Sequence, residues 1–253
     1  FANYIVGNES GLGDLWWGRA VSLSMAFIVL TSPFLGGIAD FGGIRKRLLF
    51  LYTMLCISAV ASFSLIQKGM AVEGFILVII ANIGMEGGFA FYNSFLPEIT
   101  EKEYHGRVSA WGYAVGYAGS ILSLVLALTL INRGYFDLTW LMISAFFGIF
   151  SLPAFLFLPA DRKKESGLMH AASKGMRDTW MTFKKIWTNK ETRKFLISYF
   201  IFEDGVNTVI VFSSIFAATT LGFNTQELIM LYIVVQISAL AGAFLMARPI
   251  DTW

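Results

Sequence analysis

The chain has 253 residues, 56% of them hydrophobic and only 14% charged, where soluble domains usually carry about 25% charged residues. That much apolar surface, with 24 phenylalanines in it, is more than one water-soluble core of this length can hide, so lipid is the missing solvent. The net charge of +2 excludes nothing by itself; the single cysteine, Cys56, lies in an apolar run, excludes a disulfide framework or a thiolate metal site, and reads as a small packing residue.

The chain opens at Phe1 in the middle of an apolar phrase and closes at Trp253 just after a helix exit, which reads as an internal piece of a longer protein with its true start missing. Crossing about 30 Å of hydrocarbon takes roughly 20 mostly apolar helical residues. Seven stretches qualify, at about 16–38, 48–66, 72–96, 108–131, 138–158, 195–221 and 226–247, with Phe1–Ile5 as the tail of an earlier span. Strand spans would be about ten residues long and alternating, so the expected class is an all-α membrane protein.

Lysines and arginines in the connections set the orientation. If the 16–38 helix runs toward the cytoplasm, that side holds Arg45, Lys46, Arg47, Lys102, Arg107, the ten basic residues of 160–194 and Arg248, and the other side only Arg19, Lys68 and Arg133. The stretch 160–194 is the one long connection. Its basic residues, among them Arg162, Lys163 and Lys164, stand against four acids, while Met176, Trp180, Phe183 and Trp187 recur at helical spacing. This predicts a basic amphipathic helix in the cytoplasmic interface. It divides the chain into an N-terminal bundle (1–159), a linker (160–194) and the start of a C-terminal bundle (195–253).

Ionisable residues inside spans are costly and therefore candidates for function. Three lie well away from the span ends: Glu86, Glu203 and Asp204. Asn82, Glu86 and Asn93 share a helix face, as do Tyr199, Glu203 and Asn207, while Asp204 points toward Thr208. A polar stripe on an apolar helix must face other helices or a water-filled cavity. On the 108–131 helix, Ala110, Gly112, Gly116 and Gly119 suggest close helix approach, with Tyr113, Tyr117 and Ser120 on another stripe; Gln236 is a candidate hydrogen-bonding residue. Asp40 at a helix C-terminus is disfavoured by the macrodipole and wants a cation, which Arg45, Lys46 or Arg47 can supply.

A short internal repeat supports two halves. Gly36-Gly37-Ile38-Ala39-Asp40 ends the first complete helix and Ala247-Arg248-Pro249-Ile250-Asp251 the last, each with an Asp at a cytoplasmic end. The phrase from Gly36 through Asp40, Gly43, Arg45, Lys46 and Arg47 resembles the signature loop of the major facilitator superfamily, with Phe41 where a basic residue is common and Ile44 added before the basic run. Phe91-Tyr92-Asn93-Ser94-Phe95-Leu96-Pro97-Glu98-Ile99 and Gly106 to Gly119, with Tyr199, Asp204, Gly205, Val206 and Asn207, resemble the vacuole-effluxer branch and its bacterial relatives. The resemblance implies a twelve-helix fold, of which this chain holds the end of helix 1 through helix 8. It implies that Gly36, Asp40, Gly43, Arg45, Lys46 and Arg47 form a cytoplasmic gating latch, and that Glu86 and Glu203 lie on pathway-lining helices.

His105 and His170 are expected in loops, and no zinc-protease, nucleophile-elbow or phosphate-loop motif occurs, which disfavours an enzyme and direct ATP coupling. Asn8-Glu9-Ser10 is a formal glycosylation sequon. The expected function is a secondary active transporter of a small polar solute, amino-acid-like by resemblance, working by alternating access. The substrate and proton pathway is assigned to Asn82, Glu86, Asn93, Tyr113, Tyr117, Tyr199, Glu203, Asp204, Asn207 and Gln236. No cofactor or nucleic acid is expected. The expected partners are the bilayer, the solute and coupling protons, in a bacterial plasma membrane or alternatively a vacuolar one. The competing class is a membrane-embedded enzyme or a non-transporting receptor scaffold, which would need a convergent catalytic cluster within the spans.

Overall fold

The computed structural model describes residues 5–6, 11–161 and 167–247. Phe1–Tyr4, the Asn8-Glu9-Ser10 sequon, Arg162, Lys163, Lys164, and Arg248 to Asp251 of the repeat lie outside the described residues.

Among the described residues the chain is helical throughout, with no strand: α1 (Leu12–Gly42), α2 (Arg45–Ser62), α3 (Ala71–Asn93), α4 (Leu96–Ile99), α5 (His105–Asn132), α6 (Phe136–Phe157), α7 (Leu168–Thr188), α8 (Lys190–Thr219) and α9 (Thr225–Met246). Short 3₁₀ turns at Phe63–Leu65 and Lys102–Tyr104 finish α2 and precede α5. Six helices are long and apolar enough to cross a membrane, and α8 makes a seventh if its arms Lys190–Ile210 and Phe212–Thr219, bent by 42°, form one span. Six of the seven expected spans are therefore present among the described residues, and 195–221 is the seventh on that condition. The 72–96 stretch lies within one candidate span, Ala71–Ile99, in which α3 ends at Asn93 and the short turn α4 follows at Leu96–Ile99.

Local chemistry explains several ends. Gly43 sits at φ 67°, where a side chain would be strained, and its N–H returns to the Ala39 carbonyl at 3.1 Å, closing α1. Asn189 caps α8 by accepting from the Glu191 and Thr192 N–H groups. Asn224 and Glu227 form a reciprocal capping box at the start of α9.

Many large apolar residues face outward, as in a membrane protein, while the interior holds small residues alongside Leu49, Tyr52, Phe63, Phe91 and Phe95. Ala20, Ser24, Ala39, Ala114 and Ala217 are nearly inaccessible, whereas Leu30, Leu156 and Phe157 are exposed. α3 packs on α1 and α2, α6 on α2 and α5, α9 on α5, and α7 on α1; α8 makes lighter contacts with α7 and α9. α2 and α3 approach closely: a Cβ on Gly84 would lie 2.6 Å from the Cys56 backbone nitrogen, and one on Gly87 would run into the Tyr52 ring. Cys56 is buried, as a packing residue should be.

The α5 glycines do not repeat this. A Cβ on Gly116 or Gly119 would meet nothing within 4 Å, and one on Gly112 only the Tyr92 hydroxyl at 3.6 Å. The close approach expected there occurs at α2–α3 and α1–α7 instead, because a small residue permits tight packing without requiring it.

α7 carries two distinct faces. Ala171, Ala172 and Gly175 are buried against α1, where a Cβ on Gly37 would lie 2.5 Å from the Gly175 Cα. Trp180, Phe183 and Trp187 remain exposed and stack on one another, with ring centroids 5.8 and 5.6 Å apart.

Candidate functional site

The signature loop lies at what we term the basic end of the helices. Arg45 is its hub: Nε and Nη2 reach Asp40 Oδ1 at 2.8 Å, and Nη1 donates to Glu98 Oε1 at 2.6 Å and to the Ser94 carbonyl at 3.4 Å. One planar guanidinium thereby ties the end of α1 to the end of α3 and to α4. Of the three basic residues able to partner Asp40, Arg45 is the one that does so in the described contacts.

Lys46 and Arg47 serve a different junction. Three basic residues in the first turn of α2 oppose its dipole, and Ile44 gives no side-chain cap. Asp161 supplies the missing anion, with Oδ1 accepting from the Lys46 N–H at 2.8 Å, and Oδ2 from the Arg47 N–H at 3.3 Å and near Arg47 Nε at 3.4 Å. In return Lys46 Nζ donates to the Leu158 carbonyl at the end of α6, at 2.7 Å. Phe41 lies under Lys174 of α7, whose Nζ is 4.4 Å from the ring centroid, so a cation from α7 occupies the region of the loop where Phe41 replaces a basic residue. Gly36 has open space about it, whereas the neighbouring Gly37 carries the contact with α7.

Within the spans, Asn82 Nδ2 donates to Ser24 Oγ at 2.5 Å, joining α3 to α1, and Ser24 donates on to the Val21 carbonyl. One turn further, Glu86 is half-buried and makes no hydrogen bond or ion pair among the described residues. Asn93 ends α3 and is exposed. On α8, Glu203 is half-buried, whereas Asp204 and Asn207 are exposed and Tyr199 stacks on Phe195 at 6.1 Å. No hydrogen bond, ion pair or ring contact joins the α3 and α8 stripes among the described residues.

Gln236 is brought into a partnership. Its Nε2 donates to Ser120 Oγ on α5 at 2.8 Å. Tyr113 and Tyr117, on the same stripe as Ser120, pair with centroids 6.2 Å apart. One turn before Gln236, the Tyr232 hydroxyl meets Ser213 Oγ of α8 at 3.1 Å.

The antiparallel α5–α9 seam holds two further polar ties. At the basic end Arg107 Nε donates to the Ala247 carbonyl at 3.1 Å, with Trp111 edge-on to Phe244; at the far end Gln226 Nε2 donates to Asn132 Oδ1 at 2.8 Å. Arg107 and Asn132 are about 37 Å apart along α5 at 1.5 Å per residue, a full bilayer. A cleft of about 530 Å³ lined by Trp111, Phe244 and Ala247 flanks one end of the seam, and one of about 510 Å³ lined by Asn132, Gln226 and Glu227 flanks the other.

Sequence reading missed Glu98, Asp161, Ser24, Asn132, Gln226 and Tyr232. Two left a signal: Asp161 is an acid next to a basic run directly after a helix exit, and Tyr232 lies one turn from Gln236 on the same face. Among the described residues no group of three or more His, Cys, Asp or Glu side chains is placed to hold a metal ion.

A family model described as "Vacuole effluxer Atg22 like" matches residues 19–252. The chain is similar to the "Uncharacterized MFS-type transporter YxiO" of Bacillus subtilis, at 24% identity over 91% of this chain and 57% of that protein. It is similar to Autophagy-related protein 22-1 of Penicillium rubens, at 21% identity over 89% of this chain and 51% of that protein. An uncharacterized protein of Aquifex aeolicus shares 23% identity over 90% of this chain and 53% of its own length. The chain spans about half the length of these curated relatives. No solved structure matches it.

Proposed function

The chain belongs to the Atg22-like vacuole effluxer family, and on that premise we propose that it forms part of a secondary active transporter that moves a small polar solute, amino-acid-like in chemistry, by alternating access. It is a multi-pass membrane protein of the major facilitator type, and its bacterial and fungal relatives accord with a plasma or a vacuolar membrane. The uneven distribution of lysine and arginine puts the basic end in the cytoplasm.

The observation that carries the reading is the α5–α9 seam. Helices on either side of the 160–194 segment meet across the bilayer's thickness through single, exchangeable hydrogen bonds at both ends and the middle. In the bilayer such bonds contribute about 0.6 kcal/mol on average, so either end can open without unfolding the helices. The domains 1–159 and 195–253, with α7 between them at the cytoplasmic surface, are the two bodies that would rock. Glu86 is the coupling carboxyl of this scheme: a half-buried acid without a described partner can exchange a proton with an entering solute or water. Glu203 and Asp204 supply the corresponding acids on the second body, with Asn82, Asn93, Tyr113, Tyr117, Tyr199, Asn207 and Gln236 as polar lining.

The test is solute uptake by the complete protein in proteoliposomes under an imposed pH gradient. Gradient-driven uptake is expected in wild type and lost in Glu86→Gln. Unchanged coupling in Glu86→Gln, Glu203→Gln and Asp204→Asn alike would sink the carboxylate role.

A further inference from the structure

We propose that α7 is a binding site for anionic phospholipid headgroups, seated directly over the signature loop. The position comes first. α6 ends at Phe157 and α8 starts at Lys190, both at the basic end, so α7 is held between two helix ends at one membrane surface. Its small face is occupied by α1 through Ala171, Gly175 and Gly37, which leaves the Trp180, Phe183 and Trp187 stripe directed away from that contact. Exposed stacked aromatics on an amphipathic helix belong at the headgroup boundary.

Charge selects the occupant. α7 carries Lys174, Arg177, Lys184 and Lys185 against the single acid Asp178. Each exposed tryptophan has a cation beside it: Lys184 Nζ lies 5.5 Å from the Trp180 ring centroid, and the Arg193 guanidinium 5.9 Å from that of Trp187. Arg193 also donates to the Trp187 carbonyl at 3.1 Å, which fixes the start of α8 against the end of α7. Glu191 pairs with Lys194 at 3.5 Å, and Asp161 is engaged by α2, so neither acid offsets the cations of α7. An apolar stripe bordered by cations at headgroup depth fits an anionic lipid leaflet and not a zwitterionic one. The inference rests on the transporter reading only in placing the basic end at a membrane surface, and its test does not measure transport.

The experiment is native mass spectrometry of the complete, detergent-solubilised protein with phosphatidylglycerol, phosphatidylcholine or inorganic phosphate. Retention of phosphatidylglycerol over phosphatidylcholine is expected. The triple variant Arg177→Gln, Lys184→Gln, Lys185→Gln should lose it by roughly five-fold per cation at low salt, about a hundred-fold in all. The control Lys102→Gln, at the same end but off α7, should retain it. As a readout on folded wild type, bromine-labelled phosphatidylglycerol should quench more fluorescence than bromine-labelled phosphatidylcholine, and the excess should vanish in the Trp180→Phe, Trp187→Phe double variant. Equal retention of the two lipids, wild-type retention by the triple variant, an excess that survives in the double variant, or displacement by inorganic phosphate would overturn the proposal. Absence of uptake in the proteoliposome assay would leave it standing.

Discussion

The amide of Gln236 on α9 donates to the Ser120 hydroxyl on α5 at 2.8 Å, midway along a seam that is tied again at each end. Both side chains are half-buried in spans, where an unmatched polar group has little water to turn to. A double-mutant cycle on Gln236→Leu and Ser120→Ala, read by reversible unfolding in mixed micelles, is expected to give a coupling of about 0.6 kcal/mol and at most about 1.7 kcal/mol. A coupling indistinguishable from zero would mean that the bond does not hold the helices together.

Asp161 accepts from two N–H groups at the start of α2 while Lys46 answers at the end of α6. Replacing Asp161 with Ala leaves those two donors and the Arg47 side chain without their anion. The expected cost is about 1–2 kcal/mol, the range for losing a helix cap. Asp161→Asn keeps an acceptor and should recover part of that loss. Thermal unfolding of the three proteins decides it, and equal stability of the Ala and Asn variants would remove the capping account.

Arg45 bridges Asp40 and Glu98 in a setting that water reaches, with side-chain exposures of 25%, 54% and 32%. Partly exposed ion pairs contribute about 0–1 kcal/mol, so Arg45→Gln should barely shift the unfolding temperature. Its effect should fall on uptake, reduced at least about ten-fold if the latch is worth the 1.4 kcal/mol that such a factor represents. Arg45→Lys, a single point charge without the planar fork, should restore one contact and not both. Large destabilisation with normal uptake would reverse the assignment.

The spans and the family were legible because both reside in local patterns: hydropathy over about 20 residues, and the phrases from Gly36 to Arg47 and from Phe91 to Gly119. The family read from those phrases is the one whose model matches residues 19–252. The Asp40–Arg45 pair was legible for the same reason, since the partners are five residues apart. Glu98 and the α2 partner of Asp161 were not, because these acids meet the basic run from 53 and 115 residues away, and the one local signal, the basic residues after Asp161, names no residue of α2. The α5 glycines misled in the opposite direction. Gly84 and Gly116 look alike in sequence, yet only the first has a helix pressed against it, and which glycine is covered is decided by tertiary packing.

That contrast is itself testable. A Cβ on Gly84 would lie 2.6 Å from the Cys56 nitrogen, a backbone atom that cannot rotate aside, so Gly84→Ala must separate α2 from α3. Overpacking of this kind costs about 1–3 kcal/mol. Gly116→Ala meets nothing within 4 Å and gains helix propensity of up to about 1 kcal/mol. Unfolding temperatures of the two variants should move in opposite directions; a shared fall would mean that α5 is packed more closely than described.

The seat of α7 gives the last contrast. A Cβ on Gly175 would run into the backbone of Gly37, three residues before Asp40 in the signature loop. Gly175→Leu should therefore lift α7 off α1 and withdraw Lys174 from the Phe41 ring, 4.4 Å away in the seated form. Gly167, just before α7, has open space and serves as the control in Gly167→Ala. Limited proteolysis follows the equilibrium population of an opened segment when opening is fast. Cleavage within 168–188 should rise at least about ten-fold in Gly175→Leu and stay at the wild-type rate in Gly167→Ala. Equal protection of all three proteins would show that α7 is held by its aromatic face alone and that the glycine contact contributes nothing.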